Sequence, residues 1–280
     1  MPAVRSLIPR RRAIVAATLL LAVGLAGTAA AQRFRGGGNQ RGLRFLPANP
    51  EYDGAFMFCR IQFRQNPQGD GNGWSVDYPR ADINFPYRLS ELTATSVSKD
   101  KNGNFNHVVL ALTDPELYKC PFIMMTEVGG AYFDNDEAAK LRDYLLKGGF
   151  LWADDFWGEY AWSVWQSQIF KALPEYQIVE LPLDHALFHM LYQVPKVPQI
   201  PSINSWFGRG GSTSERGAET AVPHARGIVD ERGNLMVLIT FNTDFGDAFE
   251  REGENRAYFE EFAGVGYAFG INALLYAMSH

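Results

Sequence analysis

Cysteine is nearly absent from this sequence: Cys59 and Cys120 are the only two among 280 residues. They form no CxxC pair, which removes dithiol redox chemistry and the common zinc clusters from consideration. HExxH, GxSxG and a Walker-type glycine-rich phosphate loop are missing as well. The signatures of zinc proteases, serine hydrolases of the nucleophile-elbow type and P-loop nucleotide hydrolases are therefore excluded. Acid is missing from the first 44 residues, which carry eight arginines and leave 18 basic against 31 acidic residues in the remainder, a formal −13. Such a body argues against nucleic acid and anionic membrane surfaces as partners.

Apolar residues are plentiful, at 46% hydrophobic and 14% aromatic, enough for one substantial core and too many for a disordered chain. The amino terminus departs from this pattern. Arg10-Arg11-Arg12 precedes an apolar run from Ala13 to Ala26, and Ala29-Ala30-Ala31 offers small residues for cleavage before Gln32. Residues 1–31 read as an export signal, which predicts a periplasmic or secreted body. The run is short and diluted by Ala and Gly for a membrane span, so the cleaved body has no stable span, an uncleaved anchor being the alternative. Arg11-Arg12-Ala13-Ile14-Val15 fits the loose twin-arginine pattern and an ordinary Sec signal alike, leaving the route open. Residues 32–50, Gly- and Arg-rich, read as a flexible basic leader ahead of a single domain at 51–280.

Hydrophobic patterning orders that domain as alternating strands and helices. Strands are expected at Ala55–Phe63, His107–Thr113, Phe122–Thr126 and Phe150–Ala153, with a short one at Gln177–Leu181. Helical spacing resumes at Tyr87–Ser96. Asp134 and Glu137 make a capping-box spacing ahead of Leu141, Leu145 and Leu146, and Lys147-Gly148-Gly149 ends that helix. Tyr160–Leu173 is a further helix, and Phe262–Met278 a closing apolar one. Gly227–Asp230 and Leu235–Phe241 flank a turn and read as an antiparallel hairpin. Residues 194–224, rich in Pro, Gly and Ser, form a long surface excursion of the kind that carries function. The order predicts an α/β sandwich on a mostly parallel sheet with a late antiparallel hairpin. Because Cys59 falls inside a strand and Cys120 just before another, two separately buried thiols is the plainer expectation, although an oxidising compartment would allow them to pair.

Four stretches carry a resemblance. Gly73-Trp74-Ser75-Val76-Asp77-Tyr78-Pro79-Arg80-Ala81-Asp82, Lys147–Asp155, Asn242-Thr243-Asp244 and Gly270–Ala277 together resemble the bacterial domain of unknown function 4159, over roughly residues 52–278. The resemblance implies a three-layer flavodoxin-like sandwich of the class I glutamine amidotransferase and trehalose-utilisation-like group. Amidotransferases of that group keep a nucleophilic cysteine at a tight strand-to-helix turn. Asp154-Asp155 stand at the corresponding position here, so that chemistry does not transfer.

Ligands of open α/β sheets bind beyond the carboxyl ends of the strands, and in this chain those ends are acidic. Asp114, Glu127, Asp154 and Asp244 each follow an expected strand, with Asp247 close behind the last. Asp77 and Asp82 lie in the polar, aromatic segment after the first strand, and Arg64 at its end is the expected partner for these charges. Together these residues make a candidate ligand-binding edge. Crowded carboxylates need an arginine, protons or a divalent cation, and no other cofactor is indicated. Asp155, just ahead of Tyr160–Leu173, reads as a helix cap, which leaves Asp154 as the first residue to probe. If the protein catalyses a reaction, Asp154 or Asp155 with His185 form the acid-base set. His185 and His189, four apart, have the spacing of two metal ligands, although a surface turn is the plainer reading.

The expectation from sequence is therefore a ligand-binding or scaffold module of the bacterial envelope, meeting a small molecule, a glycan or envelope proteins. The alternative is a hydrolase-like enzyme acting on a carbohydrate or envelope-derived substrate.

Overall fold

A computed structural model describes residues 48–280. The expected export signal, and all but the last three residues of the basic leader, lie outside the described residues.

Strand alternation builds the core. In Phe122–Thr126, Phe122 and Met124 face one side of the sheet while Ile123 and Met125 face the other, and all four are fully buried. In Phe150–Asp154 the same alternation sends Trp152 one way and Leu151 and Ala153 the other. A strand buried on both faces needs helices on both faces, which is the physical origin of the three layers.

The elements in chain order are β1 (Phe58–Ile61), β2 (Arg64–Gln65), α1 (Arg80–Leu92), β3 (His107–Leu110), β4 (Phe122–Thr126), β5 (Ala131–Tyr132), α2 (Asn135–Leu146), β6 (Phe150–Asp154), α3 (Gly158–Ala172), β7 (Val179–Glu180), α4 (Ile203–Gly208), β8 (His224–Val229), β9 (Leu235–Phe241), α5 (Phe245–Glu250) and α6 (Gly264–Ser279). The seven-stranded sheet runs β3-β1-β4-β6-β9-β8-β7. Its first five strands are parallel, and β8 and β7 add antiparallel pairs at the far edge. This is the flavodoxin-like sandwich expected from the sequence, with the expected late hairpin. Helices α2 and α3 cover one face through Leu141, Leu145, Trp165 and Ile169. On the other face lie α1, α5 and α6, through Phe85, Leu89, Phe249, Phe269 and Leu274. The continuous helix Arg256–Ser279, which ends in α6, is long and apolar enough to cross a membrane by composition, with a mean hydropathy of 1.3 over an 18-residue window, but 61% of that window is buried inside the protein.

The helix α2 opens as its sequence predicts: the Asp134 side chain accepts from the Asp136 and Glu137 amides, and Glu137 reaches back to the Asp134 amide. Gly148, at φ +95°, ends it in the left-handed region that glycine enters without strain. Leu146 is exposed, so two rather than three leucines of this helix enter the core. Helix α1 starts at Arg80, ahead of the expected Tyr87, and continues through Pro86 because Ala81, Phe85 and Leu89 supply a buried stripe at four-residue spacing.

The cysteines correct the expectation of two free thiols. Cys59 and Cys120 form a disulfide. Cys59 lies in β1 and Cys120 precedes β4, and β1 and β4 are neighbours in the sheet. Strand pairing, invisible in the linear spacing, brings the two together.

Candidate functional site

Among the described residues, four that are not glycine have positive φ: Asp77, Glu127, Asp155 and Asn242, at +63°, +56°, +55° and +59°. Glu127, Asp155 and Asn242 immediately follow β4, β6 and β9, three adjacent parallel strands. Asp77 lies near the end of the loop that leads from β2 into α1. Left-handed backbone costs a residue with a Cβ on the order of 1 kcal/mol, and such strain gathers where the surrounding structure holds a site in place.

Three of the carboxylates at this edge come together. Asp77, Asp155 and Asp244 each offer one oxygen, and these atoms lie within 4.8 Å of one another. All three are buried, at 5%, 6% and 3% exposure. The Thr126 hydroxyl lies 3.5 Å from both Asp77 Oδ2 and Asp155 Oδ2. The Trp157 indole N–H donates to Asp155 Oδ1 at 3.2 Å, and the Asp247 amide donates to Asp244 Oδ1 at 2.7 Å. Asp77 Oδ1, by contrast, is buried without a hydrogen-bond partner. Burial raises the pKa of all three well above the usual carboxylate range. Neighbouring charge adds to it: Asp247 acts on Asp77, Glu127 and Asp77 on Asp155, and Asp155 and Asp77 on Asp244.

Asp154 has a different task. Its Oδ2 accepts from the Phe245 and Gly246 amides at 2.8 and 3.1 Å, and its Oδ1 accepts from the Thr240 hydroxyl. It thus caps α5 from a neighbouring strand, while burial pushes its pKa up to about 7 against those donors. This reverses the division of labour expected for the adjacent pair. Asp155 makes no cap on α3, whose Gly158 amide donates instead to the Asn242 side chain at 3.0 Å. The sequence places both carboxylates near two helix starts. Only the positive φ of Asp155 decides which one turns into the cluster.

The expected cationic partner is also corrected. Arg64 is half exposed and pairs with Asp134 and Glu137 at the start of α2, away from the cluster. The arginine behind the edge is Arg60 in β1, fully buried, whose Nε reaches both oxygens of Asp82 at 2.8 and 2.9 Å. Its Nη1 donates to the Trp74 and Val76 carbonyls at 3.2 Å each. Asp82 is therefore committed to an ion pair on α1, and Arg60 anchors the loop that ends in Asp77. An arginine in mid-strand reads as an interruption of an apolar run, and only its pairing with Asp82 explains it.

Two other expected residues lie elsewhere. Asp114 receives the Ala111 amide within its own turn at 3.3 Å, beside the edge strand β3. His185 accepts from the Leu187 amide and packs on the Tyr276 ring. Tyr276 in turn receives the amide of Leu235, the first residue of β9, so His185 sits at the amino end of the sheet and cannot act with Asp154 or Asp155. His189 bonds Gln193 and the Leu183 carbonyl at 2.7 Å each and forms no metal pair with His185. Glu127 does belong to the carboxylate edge: half-buried beside Asp155, it has a pKa pushed up to about 7 by burial and the nearby Asp70 charge.

The excursion at 194–224 folds over this edge. The Ile203 amide donates to Asp247 Oδ2 at 2.6 Å, and the Ile200 carbonyl accepts from the Asp244 amide. Sequence reading passed over Glu250. Gly246 was missed as well, although a Cβ there would stand 2.1 Å from Asp77 Oδ2. A glycine inside a short helix is the signal that marked it.

A family model described as a domain of unknown function (DUF4159) matches residues 58–278. No curated protein matches the chain.

Proposed function

The chain belongs to the DUF4159 family, and we propose that it works as an exported ligand-binding module of the bacterial envelope whose ligand meets a divalent cation at the carboxyl edge of the sheet. One observation carries this reading: Asp77, Asp155 and Asp244 converge while buried, and Asp77 Oδ1 has no partner. Burial and mutual repulsion force such a group to take up protons or a cation. An all-oxygen donor set suits Ca²⁺, Mg²⁺ or Mn²⁺ and disfavours softer metals. Three carboxylates leave coordination positions for oxygens of a small molecule or glycan.

Export is supported by the leader sequence and by the disulfide, since cross-links of this kind persist in oxidising compartments. Envelope proteins are further partners of such a module, whereas the acidic body disfavours nucleic acid. The strand order and the position of Asp155 support grouping the domain with class I glutamine amidotransferase and trehalose-utilisation-like folds. Both cysteines are bonded to each other, so neither is an amidotransferase nucleophile. Metal analysis and thermal shift of the purified chain test the proposal. Millimolar Ca²⁺, Mg²⁺ or Mn²⁺ raises the melting temperature, and Asp77→Asn removes the effect. Absence of any shift with all three ions in the wild type rejects it.

Glu127 favours a second reading, a hydrolase acting on carbohydrate or envelope-derived substrates. Half-buried beside Asp155 with a pKa about 7, it would exchange a proton near neutrality. Turnover of a glycan panel that Glu127→Gln abolishes would establish that reading; a panel without turnover leaves the binding module.

A further inference from the structure

The carboxylate centre extends past its first three members. Asp247 and Glu250, three residues apart on α5, form a second group with Asp77, again with ligand atoms within 4.8 Å of one another. Asp77 is common to both groups. It is 5% exposed, its Oδ1 has no hydrogen-bond partner, and a carboxylate carries enough lone pairs on two oxygens to serve two ions at once. Gly246 leaves the space in which this carboxylate approaches α5, its hypothetical Cβ standing 2.1 Å from Asp77 Oδ2.

Charge points the same way. Five carboxylates, Asp77, Asp155, Asp244, Asp247 and Glu250, make up the two groups, and Arg251 contacts two of them, at 2.7 Å from Glu250 Oε2 and 3.5 Å from Asp247 Oδ1. Arg251 also binds Glu254 at 3.0 Å, so its charge is shared with a further acid. Arg60 is bound to Asp82, and Arg80, whose charge also acts on Glu250, is bound to Glu254. Even with Arg251 and Arg80 both counted in full, three formal negative charges remain on these five groups, more than one divalent cation offsets.

We propose that Asp77 bridges two divalent cations, the first held with Asp155 and Asp244 and the second with Asp247 and Glu250. The proposal rests on the reading of Asp77, Asp155 and Asp244 as a cation site. Ions sharing a carboxylate stand about 3.5–4 Å apart in two-metal sites. The ligand class is a hard, oxygen-seeking dication, for which Mn²⁺ is the convenient probe.

Equilibrium dialysis of the chelator-stripped chain against Mn²⁺ near neutral pH counts the ions, and electron paramagnetic resonance reports whether they are coupled. Two Mn²⁺ per chain with an exchange-coupled spectrum are expected for the wild type. Glu250→Gln retains one ion and weakens the other by about tenfold or more, erasing the coupling. Asp155→Asn weakens the opposite site, and Asp77→Asn weakens both. Glu254→Gln, which removes an acid outside both groups, keeps two coupled ions. Circular dichroism verifies that each variant is folded. A wild type that binds a single ion overturns the bridge and leaves the first site standing, whereas binding of none rejects the first site too. Two ions retained in Glu250→Gln overturn the assignment of the second site.

Discussion

Asp154 and Asp155 are chemically identical neighbours, and their fates differ because of backbone direction. Asp154 ends an extended strand with its carboxylate against the amides that open α5, whereas Asp155 takes a left-handed conformation and joins Asp77 and Asp244. Asp154→Asn keeps the size but loses acceptor capacity, so a stability loss of about 1–3 kcal/mol is expected in chemical denaturation. Asp77→Asn removes a buried carboxylate that is crowded by other acids and has no partner for its Oδ1, so in chelator its stability equals or exceeds that of the wild type, while cation binding drops. A pronounced destabilisation by Asp77→Asn in chelator contradicts the picture of unrelieved repulsion. Arg60→Leu strands the Asp82 carboxylate in the core, and a cost of about 3–5 kcal/mol is expected in the same measurement.

Short elements set the geometry more than long ones. Helix α5 spans Phe245–Glu250, yet it supplies Asp247 and Glu250, and its Asp244 cap serves the cluster as well. Gly246→Ala would ordinarily favour a helix by roughly 1 kcal/mol. Here the added methyl collides with the Asp77 carboxylate, so the variant is expected to be less stable than wild type and to bind Ca²⁺ or Mn²⁺ more weakly, as read by calorimetric titration. Helix α2 offers the contrast: its capping box is complete within the local sequence, and its start was legible from Asp134 and Glu137 alone. The α5 cap was not legible in the same way, because one of its acceptors comes from β6, about ninety residues earlier.

At the scale of the whole molecule, the acidic edge and the disulfide both act on stability. Asp154 rises from 3.8 to about 7 on folding, and Asp77, Asp155 and Asp244 rise in the same direction. A carboxylate whose folded pKa is raised lends its stability below the unfolded value and loses it as pH climbs through the folded one. In chelator the melting temperature is therefore expected to fall between about pH 4 and pH 7, and millimolar divalent cation should flatten that decline. A melting temperature that rises across this window without cation would contradict the raised values. The Cys59–Cys120 bond closes a loop with a sequence separation of 61, worth about 4 kcal/mol in the chain-entropy account, so a reductant should lower the melting temperature measurably.

Local patterning was sufficient for the alternating strands and helices, the α2 cap, the late hairpin and the acidity of the strand ends. Each follows from neighbours within a few residues: burial periodicity, turn chemistry and capping act over that range. Which carboxylates meet, which arginine is buried, where His185 ends up and whether the cysteines bond were decided by the order of strands in the sheet. Sheet order brings Asp77, Asp155 and Asp244 together from segments up to about 170 residues apart and carries His185 to the opposite end. Linear spacing carries no such information, because the burial that selects the strand order is a property of the assembled layers.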